Sequence, residues 1–363
     1  MGIAVEIFTG IAEVDASAYN LLRRSCAASA FYDPRFLSGI ERSPLLPGEK
    51  TYYLAAYEGA TLVAFMPAYL QSPAAVDPFG VLQQTTSARF EADARGIFSH
   101  VMHCYDSTVL SSDGRASVLA AMFERLAALG KAERARHFVL MNVPEGPLLE
   151  AARSLGLEVS YMFDRFFLDL SGVRDFDDLV GRVLPTDGRH EMRRQLRKFE
   201  ASGARAVVET APFARLDELT ELCYLTTKRR GTPQYLPPAP LAGLLSSCGD
   251  MLRFVIVYVG ERMVGGFICI DDGPVLHVWL GGVTYDGLDF SPYTVAFAET
   301  YRYALARGKR RVEAGRLNAK IKHRLGLIPL PLHSIVSPDL LARSGAVSPG
   351  AGQHVVDLSG GPG

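Results

Sequence analysis

HVWLGGVTYDGLDFSPYTVAFAETYRYALARGKRRVEAGRLNAKIKHRLG (277–326) is the stretch on which the fold turns. It lies within and beyond an apolar run, VLHVWLGG (275–282), that reads as a strand ending in two glycines. Ser291 then stands where a helix wants a capping hydroxyl, Pro292 at the first helical position and Gly308 past the last turn. Residues 291–308 therefore read as a helix with both ends marked. KRRVEAG (309–315) returns as a strand, and RLNAKIKHRLG (316–326) as a short basic helix stopped at Gly326. Strands alternating with helices predict an α/β architecture.

Upstream, MLRFVIVYVGERMVGGFICID (251–271) reads as a hairpin turning at Gly260-Glu261-Arg262. Before it come a helix at 189–203, a strand at 204–210 and a helix at 213–230 that ends in Lys228-Arg229-Arg230. The first half offers the same order. A strand at 3–8 and a helix at 16–28 precede a hairpin at 51–72 that turns on Glu58-Gly59-Ala60-Thr61. An extended stretch at 107–110, a helix at 115–130 ending on Gly130, a strand at 137–144, a helix at 147–158 opened by Pro147 and a strand at 166–170 follow. Hairpin, strand, helix, strand, short helix, strand thus occurs twice, a repeat of element order with little residue identity. The prediction is two tandem modules, each a mixed central sheet flanked by helices, over 1–170 and 189–343. Gly172, Gly181, Pro185 and Gly188 mark a linker at 171–188, and a Gly/Ser/Pro-rich tail at 344–363 is predicted to be disordered.

The 363 residues carry 38 Lys plus Arg against 39 Asp plus Glu, a formal net charge of −1, which argues against a nucleic-acid coat protein or an acidic tail. No run is long and apolar enough to span a membrane, and MGIAVEIFTG lacks the pattern of a signal peptide, so a cytoplasmic protein is expected. Cys26, Cys104, Cys223, Cys248 and Cys269 are odd in number and widely spaced; they read as reduced packing thiols, not as a disulfide framework or a zinc site. His100 and His103 with Asp106 make only a weak metal pattern, Asp271-Asp272-Gly273 reads as a turn, and no metal site is predicted.

Charge is concentrated locally. Residues 302–324 hold nine Lys or Arg and the single acid Glu313. On the helix at 189–203, Arg189, Arg193 and Arg197 recur at i, i+4, i+8 opposite the apolar Met192, Leu196 and Phe199. Such a face holds phosphates or is simply solvated. Gly315, Arg316 and Asn318 precede the short basic helix, where backbone N–H groups would face an anion, with Lys320, Lys322 and Arg324 adding charge. A lysine beside a reacting carbonyl would stabilise an oxyanion. His277 and Trp279, two apart on a strand, share one face. His277 is a candidate to take a proton from an amine, although a packed histidine fits the same pattern. Tyr285 and Tyr293 flank the loop before the helix and could protonate a leaving group. Tyr235, in the Pro-rich run Gln234–Pro238, is a candidate for an acceptor pocket together with Trp279 and Tyr293.

The stretch 277–326 resembles the C-terminal half of the tandem-GNAT acyltransferases, the CelD-type acetyltransferase-like proteins and their FemABX relatives. Ile321-Lys322-His323-Arg324-Leu325-Gly326 is similar to the family's F-K-x-x-F-G pattern, with Ile and Leu in place of the aromatics. RHEMRRQLRKFEASG (189–203) resembles the family's basic helix. SAFYDPRFLSGIE (29–41), the hairpin at 51–72 and VPEGPLLEAARSLGLEV (143–159) resemble its N-terminal module. The resemblance implies an amide-forming acyltransferase or aminoacyltransferase acting in natural-product or cell-envelope biosynthesis. Lys322 would stabilise donor and transition-state charge, and Arg193, Arg194 and Arg197 would contact phosphates. The donor would be an acyl-CoA, a carrier-protein thioester or an aminoacyl-tRNA, used as a co-substrate with no tightly bound cofactor. The acceptor would be a small-molecule or peptidyl amine. One departure stands out: GGVTYDGLDFSPYT (281–294) lacks the R/Q-x-x-G-x-G/A run that cradles the pyrophosphate of acetyl-CoA. The alternative is a noncatalytic module of the same fold that binds an anionic or nucleotide-tailed ligand.

Overall fold

A computed structural model of the protein describes residues 2–91 and 94–342. The expected tail at 344–363 lies outside them. The strands are β1 (Ile3–Phe8), β2 (Lys50–Glu58), β3 (Thr61–Gln71), β4 (Gly96–Ser99), β5 (Leu110–Ser111), β6 (His137–Pro144), β7 (Glu158–Asp169), β8 (Arg205–Thr210), β9 (Leu252–Val259), β10 (Arg262–Asp272), β11 (Val275–Val283), β12 (Arg311–Glu313) and β13 (Ile328–Val336). They form one mixed sheet in the order β1-β2-β3-β4-β6-β13-β7-β12-β11-β10-β9-β8, with β5 paired to β3 off that path.

The order contains an exchange. β7 closes the first half in sequence, yet it pairs with β12 and β13 of the second; β13 closes the chain, yet it pairs with β6 and β7 of the first. The antiparallel β7–β13 pair is the centre about which the two halves repeat: β4 runs parallel to β6, as β11 runs parallel to β12. The sheet therefore does not divide at 171–188. That segment is itself largely helical, with a turn at Phe176–Asp178 and a π-helical stretch at Leu179–Val183.

Helices cover both faces, as an α/β sheet buried on two sides requires. On one face a single core joins the halves: Phe31, Phe36 and Tyr105 pack with Leu244, Leu252 and Trp279. The helices Pro34–Arg42 and Pro238–Cys248 cross there. On the other face each half keeps its own core. The first lies under Ala116–Ala132, the second under Thr186–Ala201 and Pro292–Ala306.

Several elements differ from their reading in the sequence. The helix expected to end on Gly130 runs on to Ala132, and Gly130 lies inside it, packed against the end of the Leu340 side chain. β12 is shorter than 309–315, and β7 starts at Glu158, well before Phe166. The helix Pro238–Cys248 follows the Pro-rich run Gln234–Pro238 in a stretch to which the sequence reading assigns no element. Ser291 caps its helix as expected, its hydroxyl accepting from the Thr294 N–H at 3.3 Å.

Candidate functional site

β11 and β12 pair only at Val275–His277 against Arg311–Glu313. Past that point β11 continues to Val283, held by β10, while the chain after β12 turns away. The gap between them is the site.

Glycine sets one wall. A Cβ on Gly282 would stand 2.4 Å from the carbonyl carbon of Leu222 and 2.5 Å from the nitrogen of Cys223. Only glycine lets the helix Leu216–Arg229 approach β11 so closely, and that helix carries Thr226, Thr227 and Arg229 to the gap, with Arg230 just past its end. The Val283 N–H donates to Thr226 Oγ1 (3.2 Å), Arg229 donates to the Val283 carbonyl, and Arg230 Nη2 donates to Asn318 Oδ1 (2.8 Å).

The loop 314–318 forms the opposite wall. Gly315, Leu317 and Asn318 all have left-handed backbones (φ +61°, +63° and +58°). Lys322, on the helix Ala319–Arg324, is 2% exposed, and its ammonium donates to the carbonyls of Ala314, Gly315 (3.0 Å) and Arg316. An ammonium has three hydrogens, and these carbonyls take all of them. Burial, reinforced by Arg316 and Arg230, pushes the Lys322 amine well below the usual lysine range; the three carbonyl acceptors oppose that shift by favouring the charged form. The expected oxyanion donor is thus committed to holding the loop. The side chain that the loop presents is Arg316. Its Nη1 donates to Asn142 Oδ1 (3.0 Å), its Nη2 donates to the Tyr235 hydroxyl, and its guanidinium lies 4.9 Å from the centre of the Phe163 ring.

These walls, closed by residues of the first half, bound a cavity of about 1230 Å³. Its interior is largely apolar, with Phe163, Phe166, Phe267, Val278, Trp279 and Phe297 in the lining. Arg229, Arg230, Arg316 and Lys322 are its cationic groups, and Asp164 is the one acid in the lining among the described residues. Arg229 and Arg230 are exposed, as are Tyr161, Tyr285, Leu317 and Ile321, so the mouth is both cationic and apolar.

The structure brings Tyr235, Trp279, Tyr285, Tyr293, Gly315, Arg316, Asn318 and Lys322 together around this cavity. Trp279 Nε1 donates to the His103 carbonyl (3.0 Å), and burial pushes the Tyr293 hydroxyl up to about 12, so it stays protonated. Other expected donor residues lie elsewhere. Arg193 and Arg197 flank a separate hollow of about 260 Å³, because Met192 and Leu196 face the core and turn the basic stripe away from β11. Arg194 pairs with Glu191 (2.8 Å). Lys320 and Arg324 point away from the lining, and Arg324 pairs with Asp187 (3.1 Å).

His277 takes the packed position that its strand pattern also allowed. It is 3% exposed and sits behind the wall, its Nδ1 3.1 Å from the Tyr105 hydroxyl and its Nε2 3.5 Å from Asp272 Oδ2. Tyr105, not His277, reaches the lining. His100 and His103 do not converge: His100 Nε2 bonds the Phe31 carbonyl (2.9 Å) and His103 Nε2 the Tyr235 carbonyl. Burial pushes them down to about 4 and about 3. The cysteines are free thiols; burial pushes Cys223 and Cys248 up to about 12, far from a reactive thiolate. Sequence reasoning missed Arg229 and Arg230 as site residues, although their clustering with Lys228 at a helix end was visible. It missed Tyr105 and Asn142 altogether.

Two mixed modules that share one sheet, exchange closing strands and open a cavity where a parallel pair splays define a tandem-GNAT architecture related to the FemABX fold. The family model "Acetyltransferase (GNAT) domain" matches residues 186–323, the segment that builds the second half of this site. No curated protein sequence matches the chain. Among solved structures, FemX aligns over 90% of this chain and 96% of its own at 10% identity and a TM-score of 0.60. A tandem GNAT protein from the clavulanic acid biosynthesis pathway aligns over 94% of this chain and 100% of its own at 12% identity and 0.57. The C-terminal domain of a putative lysylphosphatidylglycerol synthetase from Agrobacterium fabrum aligns over 88% and 91% at 10% identity and 0.55. At these identities the likeness is one of fold. No helix of the described residues is long and apolar enough to cross a membrane.

Proposed function

We propose that the protein forms amide bonds, moving an activated acyl or aminoacyl group from a thioester or an aminoacyl-tRNA ester directly to an amine. The observation that carries this reading is the splay between β11 and the 314–318 loop, which opens on a cavity with cations at its mouth and Arg316 fixed in its wall. A cationic mouth suits a donor with an anionic tail. The space exceeds the roughly 300–1,000 Å³ of an ordinary small-molecule site, leaving room for a donor arm and an acceptor together. Positioning the two would supply much of the rate.

In this reading a neutral amine attacks the acyl carbonyl, and the Arg316 guanidinium, held by Asn142 and Tyr235, faces the developing oxyanion. Lys322 acts as a positioning residue for the loop that carries Arg316. Tyr293, held protonated, is the candidate to hydrogen-bond the leaving group, and Tyr285 stands at the mouth. Arg229 and Arg230 take the donor's anionic part. A second reading, a noncatalytic module that binds an anionic ligand, is favoured by one observation: the Lys322 ammonium has no hydrogen left for a substrate.

Incubation with acyl-CoAs, carrier thioesters and charged tRNAs plus a pool of primary amines separates the two. Mass spectrometry should show one donor consumed and a new amide; binding without product supports the noncatalytic module. An RNA donor predicts steep salt dependence and RNase sensitivity, whereas a CoA donor predicts thermal stabilisation by acyl-CoA alone.

A further inference from the structure

Amide formation releases a proton from nitrogen, and among the described residues the cavity lining offers Asp164 as its one carboxylate. The geometry points to another route: Tyr105, His277 and Asp272 form a relay that takes this proton from the cavity wall to the surface. The inference rests on the acyl-transfer reading above and names the base that reading leaves open.

Tyr105 lines the cavity from the first half of the chain. Gly315 packs against its ring edge, where a Cβ would stand 3.3 Å from Tyr105 Cε1, one bond from the carbon that bears the hydroxyl. The hydroxyl is 3.1 Å from His277 Nδ1. His277 Nε2 is buried without a hydrogen-bond partner and lies 3.5 Å from Asp272 Oδ2, within ion-pair reach. Asp272 is fixed by the Ala30 N–H (2.8 Å), and its side chain is 32% exposed, so the chain of groups ends at solvent. Phe31 closes the side of the imidazole, with ring centres 5.5 Å apart. The other ionisable groups around Tyr105 and His277 are Glu313 on β12, opposite His277 in register, Arg165 on β7, Asp106 and Cys269. Arg165 lies 3.2 Å from Asp106 and 3.9 Å from Glu313, and Arg311 lies 2.7 Å from Glu313, so two cations face the two carboxylates.

The carboxylate opposite Nε2 favours the tautomer with hydrogen on Nε2, which leaves Nδ1 to accept from the Tyr105 hydroxyl. The hydroxyl oxygen is then free to accept. As the amine nitrogen bonds to the acyl carbon, its proton passes to the Tyr105 oxygen and the tyrosyl proton passes to His277 Nδ1. The carbon–sulfur or carbon–oxygen bond to the donor breaks, its electron pair leaving on the sulfur or oxygen, and that anion takes a proton from water at the cavity mouth. The imidazolium formed draws Asp272 in, which satisfies the orphaned Nε2, and the proton leaves from Nε2 through Asp272 to water. Water thus gives the leaving group one proton and receives one at Asp272, and after product release the ring returns to its starting tautomer as Nδ1 gives its proton back through Tyr105 to cavity water and Nε2 regains one through Asp272. Tyr105 is the catalytic residue in this scheme; His277 and Asp272 act through it.

The test compares Tyr105→Phe and Asp272→Asn with the wild type, using acyl-CoA or charged tRNA with a primary-amine pool. Tyr105→Phe should lower kcat by about 10²-fold, in the range of general base catalysis, with KM little changed. Asp272→Asn should move the acid limb of the kcat profile to lower pH, since losing the carboxylate disfavours the imidazolium. NMR of the ¹⁵N-histidine-labelled protein, which needs no turnover, should show His277 as the Nε2–H tautomer. A His277 with hydrogen on Nδ1, or a Tyr105→Phe protein within twofold of wild-type kcat, overturns the relay and leaves acyl transfer standing. A wild type that forms no amide from any donor overturns acyl transfer, and the relay with it.

Discussion

The two halves carry the same parallel pair, β4 with β6 and β11 with β12, and treat the gap beyond it in opposite ways. In the first half Asn142, in a left-handed conformation (φ +59°), donates its side-chain amide to the carbonyls of Met102 (3.1 Å) and Cys104 (2.8 Å), and the Ser107 N–H donates to its own carbonyl (3.1 Å). The gap is stitched shut. In the second half Lys322 gathers three carbonyls from one loop on its own side, and the gap stays open as the cavity. An amide that spans two segments closes a splay; an ammonium that serves one segment props it open. The halves also depend on each other, because Arg316 of the open gap is anchored on Asn142 of the closed one.

Removing the charge of the open gap should have the largest effect. Arg316→Met keeps bulk in the wall and deletes the fixed guanidinium, so kcat/KM for amide formation should fall by about 10²–10³-fold, the usual cost of one preorganised oxyanion donor. Arg316→Lys should recover little, since an ammonium cannot fork between Asn142 and Tyr235. Steady-state kinetics with the donor identified by mass spectrometry checks both. Near-wild-type rates in Arg316→Met would mean that the open gap is a binding site alone.

Asn142→Ala unpicks the closed gap. It strands the carbonyls of Met102 and Cys104 and takes an acceptor from Arg316, each partner being buried or nearly so. At about 1–3 kcal/mol for each buried group left unsatisfied, a loss of about 3 kcal/mol of stability is expected in urea denaturation. A loss below about 0.5 kcal/mol, the scale of a surface substitution, would show that the stitch is incidental to the closed state.

What the residues disclosed, and what they hid, follows the same division. The helix Pro292–Ala306 was legible because Ser291, Pro292 and Gly308 mark its ends, and Gly315, Arg316 and Asn318 reached the site because a loop leaving a parallel strand beside a splay has nowhere else to go. The basic stripe of Arg193 and Arg197 misled, since periodicity tells which residues share a face and not which side of the sheet that face meets. Lys322 was singled out for its charge, but a sequence does not show where an ammonium points. β13 was implied only as the last strand of the repeated element order, since Pro329 and Pro331 interrupt the residue pattern of a strand. Both fall where the strand pairs with β7 alone; pairing with β6 begins at Leu332, so neither missing N–H costs a hydrogen bond on that side. Tyr105 lies in a stretch without periodicity, and its partner His277 is on the other half of the chain.

Acid should also tell the halves apart. His100 and His103 stand in the segment that the closed gap secures, and burial holds them at about 4 and about 3. A histidine whose folded value is depressed takes its proton first in the unfolded chain, so its stabilising contribution is present above about pH 6.5 and is lost as the pH falls towards the folded value. At pH 5 each should cost about 2 kcal/mol, from 1.36 kcal/mol for each unit below 6.5. Urea midpoints should fall between pH 6.5 and 5, and the fall should shrink in His103→Gln. Hydrogen exchange should quicken at 100–105 before 314–318; the reverse order would place the weaker gap in the second half.

The smallest effect concerns a pair of glycines at matching places, Gly146 before the helix Pro147–Ser154 and Gly315 in the loop before Ala319–Arg324. Both have positive φ (+154° and +61°), so alanine strains either backbone. They differ in what a Cβ would meet: nothing within 4 Å at Gly146, but the ring of Tyr105 at 3.3 Å at Gly315. Each alanine variant should lose about 1–3 kcal/mol of stability, the cost of holding a side-chain residue in a backbone region that glycine alone occupies readily, read as a shift in urea midpoint. Only Gly315→Ala should also slow amide formation, because its Cβ would press on the Tyr105 ring that borders the cavity. Equal slowing in Gly146→Ala would mean that strain is transmitted through the shared sheet and that the two gaps are not separately controlled; a stability loss in both with slowing in Gly315→Ala alone would place the chemistry on the open side.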